Sequence, residues 1–195
     1  MKVAAITPTF ERYSSSIIRA FTTQTYPNKR IYLVDNNEDK GFLGRTVRPP
    51  ACWADGLFVL TPHGNIGASA ARNLGIEQAI HDGIDAVCFW DDDDAPYPQY
   101  LSRMSRALID SGKPIAACRV AFEGHVLEPS HFGTQGRMIL TSAIGNRRWP
   151  SQWPGQDKAW WRQFANLEYE PVGEVLIEAR RGLVGGFRSP RAVKV

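Results

Sequence analysis

The sequence predicts an α/β protein with a mostly parallel central sheet. Two observations carry this reading. Residues 2–7 and 30–34 are strand-like apolar runs separated by a stretch of helical spacing, the strand–helix–strand arrangement of two parallel strands joined by a crossover. Further on, the apolar run Ala86-Val87-Cys88-Phe89-Trp90 leads straight into Asp91-Asp92-Asp93-Asp94. Strand propensity falls sharply at Asp, so this is a buried strand whose C-terminal end releases an acidic turn. Open α/β sheets bind ligands at that end of their strands.

Each element has a local reason. The first strand, Lys2-Val3-Ala4-Ala5-Ile6-Thr7, stops at Pro8, which supplies no N–H to a ladder. Residues 14–23 place Ile17, Ile18 and Phe21 at helical spacing, with Ser14–Ser16 available as caps. After the Tyr26-Pro27-Asn28 turn, a second strand at 30–34 ends at Asp35-Asn36-Asn37. Residues 38–55 form a loop rich in Gly, Pro and charge, long enough to be functional. A short strand at 57–60 follows. Asn65-Ile66-Gly67 then opens a helix that ends near Asp82-Gly83. Beyond the acidic run, Pro96 and Pro98 mark a turn. Helical spacing resumes over 100–111, and 115–122 and 138–140 read as strands. Gly155-Gln156 starts a helix running to about Leu167, and 174–179 is a final strand before a basic tail at 180–195.

Composition bounds the function. A chain of 195 residues is one domain, 1–195, large enough to bury a real core. No apolar run approaches the roughly 18 residues a membrane span needs, and no signal-peptide pattern precedes the first strand. A cytoplasmic protein, or one of the host cytoplasm if viral, is therefore expected. Cys52, Cys88 and Cys118 form an odd, widely spaced set without Cys-x-x-Cys, as expected of reduced thiols and not of a disulfide framework or zinc site. Charge divides the chain. Residues 1–112 carry 11 Lys/Arg against 13 Asp/Glu, a balance of −2, whereas residues 113–195 carry 12 against 7, a balance of +5. The second half is thus the one suited to an anionic partner.

Two features carry chemistry. Four adjacent carboxylates are most easily kept charged by a divalent cation, and oxygen-only ligands favour Mg²⁺ or Mn²⁺ over zinc. A solvated acidic loop or an adventitious calcium site is the alternative. The second feature is the glycine turn at Asn65-Ile66-Gly67, where free N–H groups at a helix start would seat a phosphate, with Arg72 adding charge.

Read together, these segments resemble a family 2-type glycosyltransferase of the GT-A fold, a Rossmann-like three-layer α/β/α arrangement. Val3 to Arg12 resembles the family's opening strand and Pro-Thr-Tyr-Asn-Arg turn, and Gln24-Thr25-Tyr26-Pro27 its Gln-x-Tyr-Pro turn. Asn65-Ile66-Gly67 with Ala71-Arg72-Asn73 resembles the Asn-x-Gly…Ala-Arg-Asn signature. The acidic run with Pro98 and Leu101 resembles the DxD motif and its Pro-x-x-Leu sequel, and Gly155-Gln156-Asp157 with Arg162 the helix start that holds the catalytic base. The resemblance implies a sugar nucleotide donor, a UDP-sugar, whose sugar passes with inversion to an acceptor hydroxyl. It places Thr7, Pro8, Thr9 and Glu11 at the nucleotide base and Asp35 at the nucleoside. Asn65, Gly67, Arg72, Asp91 and Asp92 complete the nucleotide-sugar set. Asp91 and Asp93 are the metal residues, Asp93 the direct ligand to Mn²⁺ or Mg²⁺, with Asp92 turned away by strand alternation. Asp157 is the general base. Residues 1–112 then form the donor half and 113–195 the acceptor half. The pattern is broken at Gln156, where the family has Glu, and at Glu11, where it more often has Asn. A minimal catalytic core, without the extensions and membrane helices of processive members, is expected.

The acceptor should meet the second half. Trp149, Trp153, Trp160 and Arg162, with Trp161, Arg147 and Arg148, interleave aromatics and cations that suit a sugar ring or a nucleobase. A saccharide or a hydroxymethylated base in DNA, as in viral DNA-modifying glucosyltransferases, are the two acceptors expected. A core role for the tryptophans is the plainer alternative. A non-catalytic nucleotide-sugar-binding domain is the competing class.

Overall fold

Alternation along the first strand sets the layers. In β1 (Val3–Thr9), Val3 and Ala5 enter one buried cluster while Ala4 and Ile6 enter another, as a period of two across a sheet requires. The computed structural model describes residues 1–10, 15–36, 55–129, 135–151 and 155–179. Glu11, most of the 38–55 loop, Cys52, Trp153 and the basic tail lie outside them.

The first face is covered by α1 (Ser15–Thr22) and by a later helix, α3 (Tyr100–Ser111). Ile17, Phe21, Tyr100, Leu101, Met104 and Leu108 meet Val3, Ala5, Ile31, Leu33 and Trp90 there. The opposite face is covered by α2 (Gly67–His81), whose Ile76 and Ala79 pack on Ala4, Ile6 and Tyr32. Gly75 makes this approach close, because a Cβ there would collide with the Ile6 side chain. The three-layer α/β/α arrangement expected from the sequence is present.

β2 (Lys29–Asp35), β3 (Leu57–Leu60) and β4 (Ala86–Phe89) join β1 in parallel, in the order β3-β2-β1-β4. The chain steps outward from β1 to β3, then returns to the other side of β1. A crevice opens at such a reversal, beyond the carboxyl ends of β1 and β4.

Past β4 the sheet becomes mixed. β8 (Arg137–Leu140) runs antiparallel between β4 and β6 (Ile115–Phe122), and β7 (His125–Leu127) forms a hairpin with β6. The last strand, β9 (Tyr169–Ala179), lies parallel to β6 and starts five residues before the expected Glu174. Pro171 and Gly173 interrupt the strand pattern locally, but pairing with β6 carries the strand through them with register shifts around Arg119. β5 (Ala95–Pro96), which no apolar run announced, pairs with β9 at the sheet edge, where a proline is tolerated.

Two short helices complete the second layer: α4 (Thr141–Ile144) and α5 (Gln156–Arg162). α5 was expected to reach Leu167. It gives way after Arg162 to turns in which Gln163, Phe164, Ala165 and Leu167 each donate to the carbonyl three residues back. Among the described residues no helix is long and apolar enough to cross a membrane.

Candidate active site

The acidic run is a turn, and that decides where its carboxylates go. The Trp90 N–H donates to the Ile6 carbonyl at 3.2 Å, the last rung beside β1. The chain then folds back on itself. The Asp94 N–H donates to the Asp91 carbonyl at 3.0 Å, and the Asp91 N–H to Asp94 Oδ2 at 2.8 Å. Asp94 is therefore the buried brace of the turn. Burial pushes its carboxyl well above the usual carboxylate range, and neighbouring Asp91 adds to the effect. Asp91, Asp92 and Asp93 all line a cavity of about 410 Å³. Strand alternation had turned Asp92 away, but alternation ends where the turn begins.

The same cavity is lined from β1 by Pro8, Thr9 and Phe10, from the end of β2 by Asn36, and from the first turn of α2 by Gly67, Ser69 and Arg72. Its far wall is Ser151, Gln156 and Asp157. The crevice at the strand-order reversal is thus closed by residues from the second half of the chain. Thr7 and Asp35 are buried without lining it, although Asp35 stands level with Thr9 in the β1–β2 register.

Asn36 had not been singled out, yet it knits β2 to α2. Its Nδ2 donates to Asn65 Oδ1 at 2.8 Å, and its Oδ1 accepts the Ile66 N–H at 2.7 Å. Asn65 Oδ1 also accepts the Gly67 N–H at 2.9 Å. The Ile66 and Gly67 N–H groups of the expected phosphate seat are therefore occupied by amide side chains, and Ala68, Ser69 and Ala70 line the cavity beyond them. The only signal for Asn36 in the sequence was its place after the strand-ending Asp35.

Arg72 occupies the centre. Its side chain is 5% exposed and Nη2 donates to Asp91 Oδ1 at 2.7 Å, while Nη1 lies 3.9 Å from Asp157 Oδ1. The guanidinium carbon sits 4.6 Å from the centre of the Trp149 ring, a cation–π contact. Asn73 pins that tryptophan by exchanging two hydrogen bonds with its backbone, 2.7 and 3.1 Å. The second oxygen of Asp91 accepts Gln135 Nε2 at 2.7 Å. Gln135 went unnoticed in the sequence because it lies 44 residues from Asp91, in a connection without a motif.

Both oxygens of Asp91 are thus engaged, and Asp92 and Asp93 line the same cavity beside it. The cavity suits a divalent cation on charge: Asp91, Asp92, Asp93 and Asp157 meet a single guanidinium among its lining residues. Among the described residues no three metal-ligating side chains converge. Mg²⁺ needs only one or two carboxylates when phosphate and water complete its shell.

The tryptophans require a correction. Trp149 and Trp160, expected against the acceptor, are buried, 3% and 0% exposed. Their rings stack on each other, with centres 5.0 Å apart and planes 12° apart, and Phe89 and Phe164 pack edge-on to Trp160. A ring enclosed on both faces has none left for a sugar or a base. The physical reason is that the short α5 turns Trp160 inward, where Trp149 from the preceding segment stacks on it in the core of the second layer. Arg162 is exposed in the last turn of α5 and does not line the cavity.

Helices on both faces of a sheet that reverses at β1/β4, with an acidic turn at the reversal, form a GT-A fold. The model of the glycosyl transferase family 2 matches residues 4–164, and the chain belongs to that family. It is 30% identical over 124 residues to the glycosyltransferase AglE of Haloferax volcanii, a match covering 62% of this chain and 40% of AglE. In fold it is similar to TarS of S. aureus. The crystal structure of TarS 1–349 in complex with UDP-GlcNAc superposes with a TM-score of 0.78 at 17% identity, covering 93% of this chain and 60% of that one. A longer TarS structure gives 0.76 at 16% identity, covering 92% of this chain and 36% of that one. The chain thus spans between 36% and 60% of the length of these relatives.

Proposed function

We propose that the protein transfers a sugar from a UDP-sugar to the hydroxyl of a saccharide acceptor, by a single inverting displacement. The observation that carries this is the facing of Asp157 and the β4 acidic turn across one cavity. Donor and acceptor sides are then within one substrate's reach. The UDP-GlcNAc complex of TarS supports the choice of donor class.

In this reading the nucleotide lies against Pro8, Thr9, Phe10 and Asn36, and the diphosphate near Ala68–Ala70 and the acidic turn. Asp93, with Asp92 beside it, would hold a Mn²⁺ or Mg²⁺ ion, which supplies compensation for charge developing on the departing diphosphate. Asp157, whose side chain is 41% exposed, stands at the open wall where an acceptor arrives. Its carboxylate takes the proton of the acceptor hydroxyl as that oxygen bonds to the anomeric carbon. The bond to the diphosphate breaks on the opposite face, which inverts the centre. A saccharide acceptor is favoured over DNA because the rings that suited a nucleobase, Trp149 and Trp160, are core residues.

A thermal-shift screen of nucleotide sugars with Mn²⁺ tests the donor, since a ligand at 100 times its dissociation constant adds about 2.7 kcal/mol. UDP-sugars should stabilise the protein, and Asp93→Ala should lose the Mn²⁺-dependent part. Asp157→Asn should keep that stabilisation and lower turnover by about 10²–10⁴. A flat response to every uridine sugar rejects the donor; full turnover in Asp157→Asn rejects the base. A salt-sensitive shift on labelled DNA would restore the nucleic-acid acceptor.

A further inference from the structure

The first turns of α2 meet the first turn of α5 through two adjacent pairs. Ser69 and Arg72 are three residues apart and so share one face of α2. Gln156 and Asp157 are the first two residues of α5. The Ser69 hydroxyl donates to Gln156 Oε1 in a buried contact, and Arg72 Nη1 faces Asp157 Oδ1 at 3.9 Å. Gly155 makes the pairing reachable: its φ of +94° starts the helix with both side chains turned to α2.

Two roles compete for Arg72. As a phosphate-binding residue it should offer the cavity a guanidinium whose charge is unmatched. Instead its Nη2 is committed to Asp91 at 2.7 Å, and its guanidinium carbon lies over the Trp149 ring, which Asn73 holds in place. Nε and Nη1 are buried and make no hydrogen bond among the described residues. A guanidinium buried this deeply and held at Nη2 is poorly placed to follow a diphosphate, but its fork can hold two carboxylates at a set separation.

We infer that Ser69 and Arg72 are positioning residues that clamp the start of α5, fixing Asp157 relative to the Asp91 carboxylate across the cavity. This rests on Asp157 being the base. Gln156 fits the clamp better than a carboxylate would. A neutral amide accepts the Ser69 hydrogen bond without adding a fifth acidic side chain to a cavity wall with one guanidinium.

The test uses Arg72→Lys, which keeps the charge and removes the fork, and Ser69→Ala, a small change that folds even if the first variant does not. Amide hydrogen exchange is measured across the chain without ligand. UDP release from a panel of UDP-sugars is measured with Mn²⁺. The clamp predicts exchange at residues 156–162 about tenfold faster in both variants, with the rest of the sheet unchanged. It also predicts kcat lowered by about 100-fold for Arg72→Lys, as misplacement of a catalytic group by an ångström does, with KM for the donor within about threefold. Unchanged exchange at 156–162 overturns the inference whatever the turnover. A raised KM with kcat preserved makes Arg72 a phosphate-binding residue and also overturns it. Absence of UDP release by the unmodified protein sinks the proposed function instead, and the exchange measurement still decides whether the clamp exists.

Discussion

Asp91 is the residue at which the two halves of the chain are read together. One oxygen is held by Arg72 from α2 and the other by Gln135 from the approach to β8. Hydrogen bonds to a charged group contribute about 1.5–3 kcal/mol, roughly twice those between neutral groups. Gln135→Ala frees one side of Asp91 while leaving its ion pair with Arg72. If donor placement depends on a fixed Asp91, kcat/KM for the UDP-sugar should fall on the order of tenfold or more. An unchanged kcat/KM would show that Arg72 alone suffices. Asp94 works differently. It is buried beneath the turn, and its Oδ2 accepts the Asp91 N–H and so shapes the backbone of the acidic turn.

At the scale of elements, α2 ties the fold together. Its first turn lines the cavity, its middle packs on β1, and its end is held by Asp82 at the C-cap. Gly75 permits the close packing on β1, so Gly75→Ala forces the Ile6 side chain or the helix to move. Overpacking of this kind costs about 1–3 kcal/mol, and urea unfolding should show a lowered midpoint with an unchanged slope. Because Ser69 and Arg72 ride on the same helix, the variant should also lose activity in excess of its loss of folded protein. α5 is the contrasting element. It is only seven residues long, and it is held by the aromatic core beneath it and by α2 beside it, since a helix of that length has little stability of its own.

For the whole molecule, Asp82 links stability to pH. It accepts hydrogen bonds from Tyr32 (2.7 Å), Arg30 (2.6 Å) and Gln78 (2.8 Å). These hold its carboxyl down to about 2, the Tyr32 hydroxyl contributing most, while burial raises the Tyr32 phenol to about 12. A carboxyl lowered by folding adds stability that is full above its unfolded value and lost as pH falls through the folded one. The window is therefore from about pH 4 down to about pH 2, and the contribution is on the order of 1–2 kcal/mol. Unfolding free energy measured across that range should fall, and Asp82→Asn should remove that part of the slope. An identical slope in the variant would assign the acid sensitivity elsewhere.

Much of this was legible in the residues themselves. Period-two strands, helical spacing over 100–111 and the abrupt end of an apolar run at Asp91 are local signals, and local sterics and solvation enforce them. The acidic turn and Arg72 were singled out as site features for the same reason, each standing at the end of an element, whereas Asp157 was named through the family resemblance. Asn36 and Gln135 were missed because their roles depend on partners 29–44 residues away. Trp149 and Trp160 were assigned to the acceptor because an aromatic, basic segment reads alike whether its rings face water or a core. Burial is a property of the packed layers.

The acidic turn, then, was determined by the sequence alone as the end of a buried strand and the centre of a charged site. Only the tertiary structure decided what each of its carboxylates does. Asp94 is drawn under the turn, Asp91 is held by two distant donors, and Asp92 and Asp93 are left facing the cavity. Four identical side chains in a row differ only in what the fold brings to each of them.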